Sequence, residues 1–200
     1  MEYKINELKD RAYQAACGAG WFKCENSHIH ELALVMAEVG VALDVKVREE
    51  KLTQREMFER ESVTPQMNPH KHWLFCYENF IKDTWEDRLA AVVIRMLALA
   101  GKNDATFKEE DFAAAKIEKG VRRAEKELEK SSKPVTIPEE VSLIFQSLVF
   151  VLDGLESVAD VLQLVLVVAG RHKMDVMWFV EQRLKYMELM GRDNRKEDQE

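Results

Sequence analysis

Apolar residues recur along most of this chain at helical spacing, in blocks separated by short polar or Gly- and Pro-bearing stretches. Asn6 to Ala16 puts Leu8, Ala12, Ala15 and Ala16 on one side, and CGAGW at 17–21 breaks it. Asn26 or Ser27 is placed to cap the next block, Ile29 to Val47, which is apolar around most of its circumference and so predicts a central, buried helix. Residues 48–61 are charged and expected to be exposed, and TPQMNPH at 64–70 reads as a loop broken by two prolines. His72 to Gly101 is helical in two parts, HWLFCYENFI and then a long apolar-faced helix ended by Gly101. After a polar stretch to residue 136, with SSKP at 131–134 as a hinge, Pro138 fits the first turn of a helix reaching Leu152. Gly154 separates it from Glu156–Ala169, and a last helix, Asp175–Met190, precedes a charged tail.

The predicted fold class is all-α, a helical bundle. Residues 1–130 form its N-terminal half, 137–190 are C-terminal helices on the same bundle, and 191–200 are a disordered tail. The halves echo each other. LVMAEVGVALD at 34–44 resembles LIFQSLVFVLD at 143–153, and EDRLAAVVIRMLALAG at 86–101 resembles LESVADVLQLVLVVAG at 155–170. Two pseudo-repeated halves or shared helical composition would each produce this echo.

Composition narrows the function classes. A net charge of −7 gives no electrostatic reason to bind nucleic acid, and the basic stretch from Lys116 to Lys133 is interleaved with Glu, as a solvated helix face is. Cys17, Cys24 and Cys76 make no close pair, which argues against a zinc site or a disulfide framework. The polar opening does not read as a signal peptide, and the longest apolar run, Val158 to Gly170, is too short to span a bilayer. The expectation is a cytoplasmic protein with no membrane and no nucleic-acid partner. Gly-rich phosphate loops, G-x-S-x-G and H-E-x-x-H are absent from the sequence.

The segments ELALVMAEVGVALD, REMFERESVTPQMNPHKHW, FIKDTWEDRLAAVVIRMLALAG and WFVEQRLKYMELM together resemble the MazG-like branch of the all-α nucleoside triphosphate pyrophosphohydrolases, most strongly over 29–101 and again at 175–190. The resemblance implies a helical bundle that uses Mg²⁺ to split a nucleoside triphosphate into monophosphate and pyrophosphate. It also implies assembly as a homo-oligomer, dimer or tetramer. The family's metal signature is E-x-x-E on one helix facing E-x-x-D on another. Residues i and i+3 share a helix face, so four carboxylates converge, and only a divalent ion makes that arrangement tolerable. Here Glu38 matches the first acid, while the other three positions hold Val41, Arg88 and Ala91. Near the C-terminus, where the family carries a Lys, then Tyr-Asn and Arg taken to contact phosphate, this chain has Arg183, Tyr186, Met187 and Met190, with Lys185 beside them.

One acid of four points to a pseudoenzyme: a catalytically inactive protein with no cofactor, acting as a structural, nucleotide-binding or regulatory partner, including a partner of an active relative. The alternative is a magnesium-dependent pyrophosphohydrolase with relocated ligands drawn from Glu31, Glu38, Asp44, Glu86 and Asp87, of which Glu38 and Asp87 are the first candidates. Arg88 is expected to stand where the metal would sit and to pair with Glu38. Glu31 and Glu38 are seven apart, as are Arg88 and Arg95, so each pair shares a face. Glu86, Asp87 and Asp44 are expected to be solvated, and Asp160 to be satisfied by Ser157 or Gln146. His70 and His72 read as loop residues, and Trp73, Phe75, Tyr77 and Phe80 as core or an oligomer interface. Arg183, Lys185 and Tyr186 are either phosphate contacts or surface charge on a terminal helix.

Overall fold

The computed structural model describes residues 4–22, 27–48, 51–130, 136–152, 154 and 157–197, and among them there are helices and no strand. The α-helices are α1 (Ile5–Gly18), α2 (His28–Arg48), α3 (Arg55–Glu61), α4 (Pro69–Phe80), α5 (Trp85–Lys102), α6 (Ala114–Lys130), α7 (Ile137–Leu152), α8 (Val158–Arg171) and α9 (Val176–Glu197), with a 3-10 turn at Glu109–Phe112. The all-α bundle expected from the periodicity is what forms. None of the described helices is long and apolar enough to cross a membrane.

The centre of the bundle is α5, with thirteen of its eighteen residues buried. It packs against α1, α2, α8 and α9, and only the stripe of Arg88, Arg95 and Lys102 with its two ends stays half-buried. Ala90, Ala91, Ala98 and Ala100 let those neighbours approach closely. This corrects the expectation for α2, which lies on α5 and α7 and buries one stripe, Leu32, Val35, Val39 and Ala42, while Ile29, Val41 and Val47 are exposed. Apolar composition made α2 look central; the number of packing neighbours decides the matter.

Two further boundaries differ from expectation. Pro69 starts a helix instead of breaking one. Asn68 caps α4 by accepting from the Lys71 amide at 3.1 Å, and proline at the first helical position gives up an N–H that would have no partner there. His70 and His72 are therefore helical. The last helix also continues past Met190 to Glu197; residues 198–200 lie outside the described residues, as does the SSKP hinge.

The echo between the halves has a structural counterpart. Placing 86–101 on 155–170 carries Gly101 onto Gly170, Lys102 onto Arg171 and Asp104 onto Lys173. Both helices end in the same way: Ala105 N–H donates to the Ala100 carbonyl at 2.9 Å, Met174 N–H donates to the Ala169 carbonyl at 3.0 Å, and Asp104 and Lys173 take φ of 52° and 55°. Both glycines are crossing points. A Cβ on Gly101 would lie 2.6 Å from Tyr13 Cβ of α1, and one on Gly170 would lie 2.7 Å from Val121 Cγ2 of α6. Placing 34–44 on 143–153 carries Glu31 onto Glu140. Glu31 pairs with Lys102 at 3.1 Å and Glu140 pairs with Arg171, the equivalent couple. A three-helix unit thus occurs twice, as α1–α2–α5 and as α6–α7–α8, with α2 packed on α7 and α5 on α8. Helices α3 and α4 are inserted in the first unit, and α9 returns to pack on α1, α4 and α5.

Candidate functional site

Antiparallel packing of α2 and α5 brings the heptad-spaced charges into register. Glu31 meets Lys102, and Glu38 meets Arg95, whose Nε donates to Glu38 Oε1 at 3.0 Å. The Arg95 guanidinium also lies 4.2 Å from the centre of the Trp21 ring, so it is held between an indole and a carboxylate. Arg88, one heptad away, comes only to 4.0 Å of Glu38 Oε2 and makes its close contact with Asp83 at 2.6 Å. The pairing expected of Arg88 belongs mainly to Arg95. The reason is register: with Glu31 opposite Lys102, the position seven residues along each helix places Glu38 opposite Arg95. Glu38 Oε2 and Arg88 Nε are buried without a hydrogen-bond partner.

A second charge cluster sits one turn away, and sequence reasoning missed it. Asp87 has no solvent exposure. Its carboxylate accepts a hydrogen bond from the Tyr77 hydroxyl, one from Arg183 Nη1 at 2.6 Å, and one from the Asp83 backbone N–H at 2.9 Å. Its own amide donates to the Thr84 hydroxyl at 3.3 Å, which caps α5. Asp87 is therefore not a solvated acid. A buried carboxylate needs such partners, since desolvation alone costs several kcal/mol, roughly. Burial by itself would lower the Arg183 pKa, but the Asp87 charge and its hydrogen bond, with the charge of Glu38 behind them, outweigh it and raise it above the ordinary value. Burial and the neighbouring Asp87 charge also hold the Tyr77 hydroxyl well above its usual range, so it remains a donor. The one signal in the sequence was the Thr84-x-x-Asp87 step, a helix-start pattern that says nothing of what lies above it.

The three residues nominated for phosphate do not converge. Arg183 turns inward to Asp87. Lys185 lies 4.3 Å from the Trp73 ring centre, and burial lowers its pKa. The Tyr186 hydroxyl accepts from Lys82 at 3.1 Å and donates to Glu78 at 2.9 Å, with its ring stacked on Tyr77 at 4.6 Å. Lys185 and Trp73 border a cleft of about 640 Å³ together with Arg11, His70, Glu181 and Glu188. Arg11 is held there by Glu181 at 2.6 Å and Glu188 at 3.2 Å. Of the aromatic series, Trp73 and Tyr77 are core, Phe80 is half-buried and Phe75 is exposed. Asp160 completes a capping box with Ser157 at the start of α8.

The remaining acids are dispersed. Glu31 is buried beside Lys102, Asp44 pairs with Arg48 on the surface at 2.8 Å, and Glu86 is half-buried at the start of α5. Val41 is exposed and Ala91 buried. Among the described residues, no group of three or more His, Cys, Asp or Glu side chains is placed to hold a metal ion. No family model matches the chain, and no curated protein or solved structure is significantly similar to it.

Proposed function

We propose that this chain is a catalytically inactive relative of the MazG-like pyrophosphohydrolases, a bundle whose cation is built in as arginine. One observation carries this reading: each acid first in line to hold Mg²⁺ already has a guanidinium, Glu38 that of Arg95 at 3.0 Å and Asp87 that of Arg183 at 2.6 Å. Arg88 adds a third guanidinium, 4.0 Å from Glu38 and 2.6 Å from Asp83. A guanidinium about 4 Å from a Mg²⁺ ion opposes it by roughly 8 kcal/mol at an effective dielectric near 20. Val41 and Ala91 offer no oxygen. These residues do not fit a divalent ion.

What such a protein retains is a scaffold and a cleft. Its role is that of a structural or regulatory partner, with the Lys185–Trp73 cleft available to a nucleotide. The test is incubation of the purified chain with each nucleoside triphosphate and Mg²⁺ or Mn²⁺, followed by assay for monophosphate and pyrophosphate. No turnover is expected, and titration calorimetry with Mg²⁺ alone is expected to show no saturable heat. Stoichiometric Mg²⁺ binding or steady turnover lost on Glu38→Gln or Asp87→Asn would establish relocated ligands instead. A nucleotide that raises the melting temperature without metal separates a sensor from a purely structural partner.

A further inference from the structure

We propose that the pocket between the start of α5 and the turn after α8 binds a small zwitterion, a neutral α-amino acid with an apolar side chain. The pocket holds about 300 Å³, at the small end of the roughly 300–1,000 Å³ range of ligand pockets. Helices α2, α3, α5 and α9 meet there with the turn at 172–175, so both halves of the chain contribute walls. It shares no residue with the Glu38–Arg95 pair, the Asp87–Arg183 pair or the Lys185 cleft. The inference is therefore independent of whether the chain hydrolyses nucleotides.

The occupant follows from two opposite charges that line this pocket and do not meet. Glu86 is half-buried in the first turn of α5, and Lys173 stands in the turn that closes α8. Among the described residues, neither side chain makes a hydrogen bond or an ion pair, with the other or with any third group. Backbone geometry fixes both positions. The Thr84 cap starts α5 two residues before Glu86. Lys173 takes φ 55°, and the next amide, Met174 N–H, donates to the Ala169 carbonyl at 3.0 Å. A molecule carrying an ammonium and a carboxylate satisfies both walls at once. The other charges of the lining are committed. Arg55 bonds Glu59 at 2.8 Å and Asp175 at 3.3 Å, and His172 bonds Glu140 at 2.7 Å. Three cations, Lys46, Arg55 and Lys173, nearly balance the two acids, Glu86 and Asp175, so the pocket favours a ligand without net charge. A simple anion meets Glu86, and a simple amine meets the cations. Trp85, Met174 and Phe179 supply apolar walls, and the half-buried Met174 thioether adapts to the shape it meets.

The experiment is titration calorimetry on the full chain at neutral pH with leucine, methionine and phenylalanine in turn. Isopentylamine, which is leucine without its carboxylate, and isocaproate, which is leucine without its amine, serve as single-charge probes. The expected result is saturable one-to-one heat from at least one of the amino acids and none from either probe at equal concentration. Glu86→Gln and Lys173→Asn, the latter keeping a residue that accepts positive φ, each weaken binding about tenfold or more with an unchanged far-ultraviolet helical signal. Lys126→Gln, on the exposed side of α6, leaves it unchanged. Absence of heat from all three amino acids would overturn the proposal. So would isocaproate or isopentylamine binding as tightly as leucine, or binding that both pocket variants leave intact.

Discussion

Arg183 of α9 donates to the Asp87 carboxylate of α5 at 2.6 Å, across 96 residues of chain, at a point where Asp87 is closed off from solvent. That bond ties the last helix to the centre of the bundle. Arg183→Met leaves the carboxylate buried with only Tyr77 and a backbone amide, and should cost about 3–5 kcal/mol in urea unfolding at neutral pH. Tyr77→Phe removes one neutral donor and should cost less, about 1–3 kcal/mol. Adding Asp87→Asn to Arg183→Met should recover part of the loss. No recovery would show that the cost lies in packing and not in an unpaired charge.

Glu38 distinguishes its two arginines by distance. Arg95→Ala removes the 3.0 Å contact and the packing on Trp21, whereas Arg88→Ala removes a 4.0 Å contact and an exposed bond to Asp83. Arg95→Ala should therefore destabilise by about 2 kcal/mol, and Arg88→Ala by about 1 or less. Chemical denaturation of the two variants checks the order, and equal losses would mean that Glu38 is shared evenly.

Three helical glycines should respond to alanine with different signs. Alanine gains up to about 1 kcal/mol over glycine inside a helix. At Gly40 the nearest atom to a new Cβ is Phe145 Cζ at 3.9 Å, so Gly40→Ala should stabilise. At Gly101 the new Cβ meets Tyr13 Cβ at 2.6 Å, an atom fixed to its backbone, and overpacking should outweigh the gain by about 1–3 kcal/mol. At Gly170 the obstacle is a Val121 methyl, so the loss should be smaller. Melting temperatures of the three variants give the test.

Acid should weaken the second half through His172. Its Nε2 lies 2.7 Å from Glu140, a carboxylate already paired with Arg171, and Lys46 of α2 faces the same place. Burial, then the positive charges of Arg171 and Lys46, lower the imidazole below its ordinary 6.5. The folded state therefore binds this proton less readily than the unfolded chain. The associated stability is complete above about pH 6.5 and is lost as the pH falls through the folded value. His172→Gln should flatten the fall in melting temperature between about pH 7 and pH 5. A variant with the same slope as the parent would exclude His172 as its source.

The apolar helices were readable from local pattern to within a few residues, because the period of apolar side chains is a short-range property, whereas the charged stretches that form α3 and α6 carry little of that period. Where pattern misled, it did so through context. Pro69 has the same side chain whether it ends a loop or begins α4, and the capping by Asn68 settles it. The charge site was half legible: heptad spacing paired α2 with α5, but it left open whether Glu38 meets Arg88 or Arg95. Asp87 was illegible, since an acid three residues after Thr84 looks like a solvated first-turn residue until α4 and α9 close over it with Tyr77 and Arg183.

From its residues alone, this protein is committed to an all-helical bundle and to heptad-spaced charges, Glu31 and Glu38 on one helix and Arg88 and Arg95 on another. Those follow from periodicity and identity, which need no partner in space. Only the tertiary structure made α5 the centre, carried Glu109 back to accept from the Ile5 and Asn6 amides at the start of α1, and set a cation beside the buried carboxylates, Lys102 at Glu31, Arg183 at Asp87 and Arg171 at Glu140. The physical reason is that burial and ion pairing belong to pairs of distant residues. Their strength is set by the dielectric and the separation that packing creates, and neither is written into a local stretch of chain.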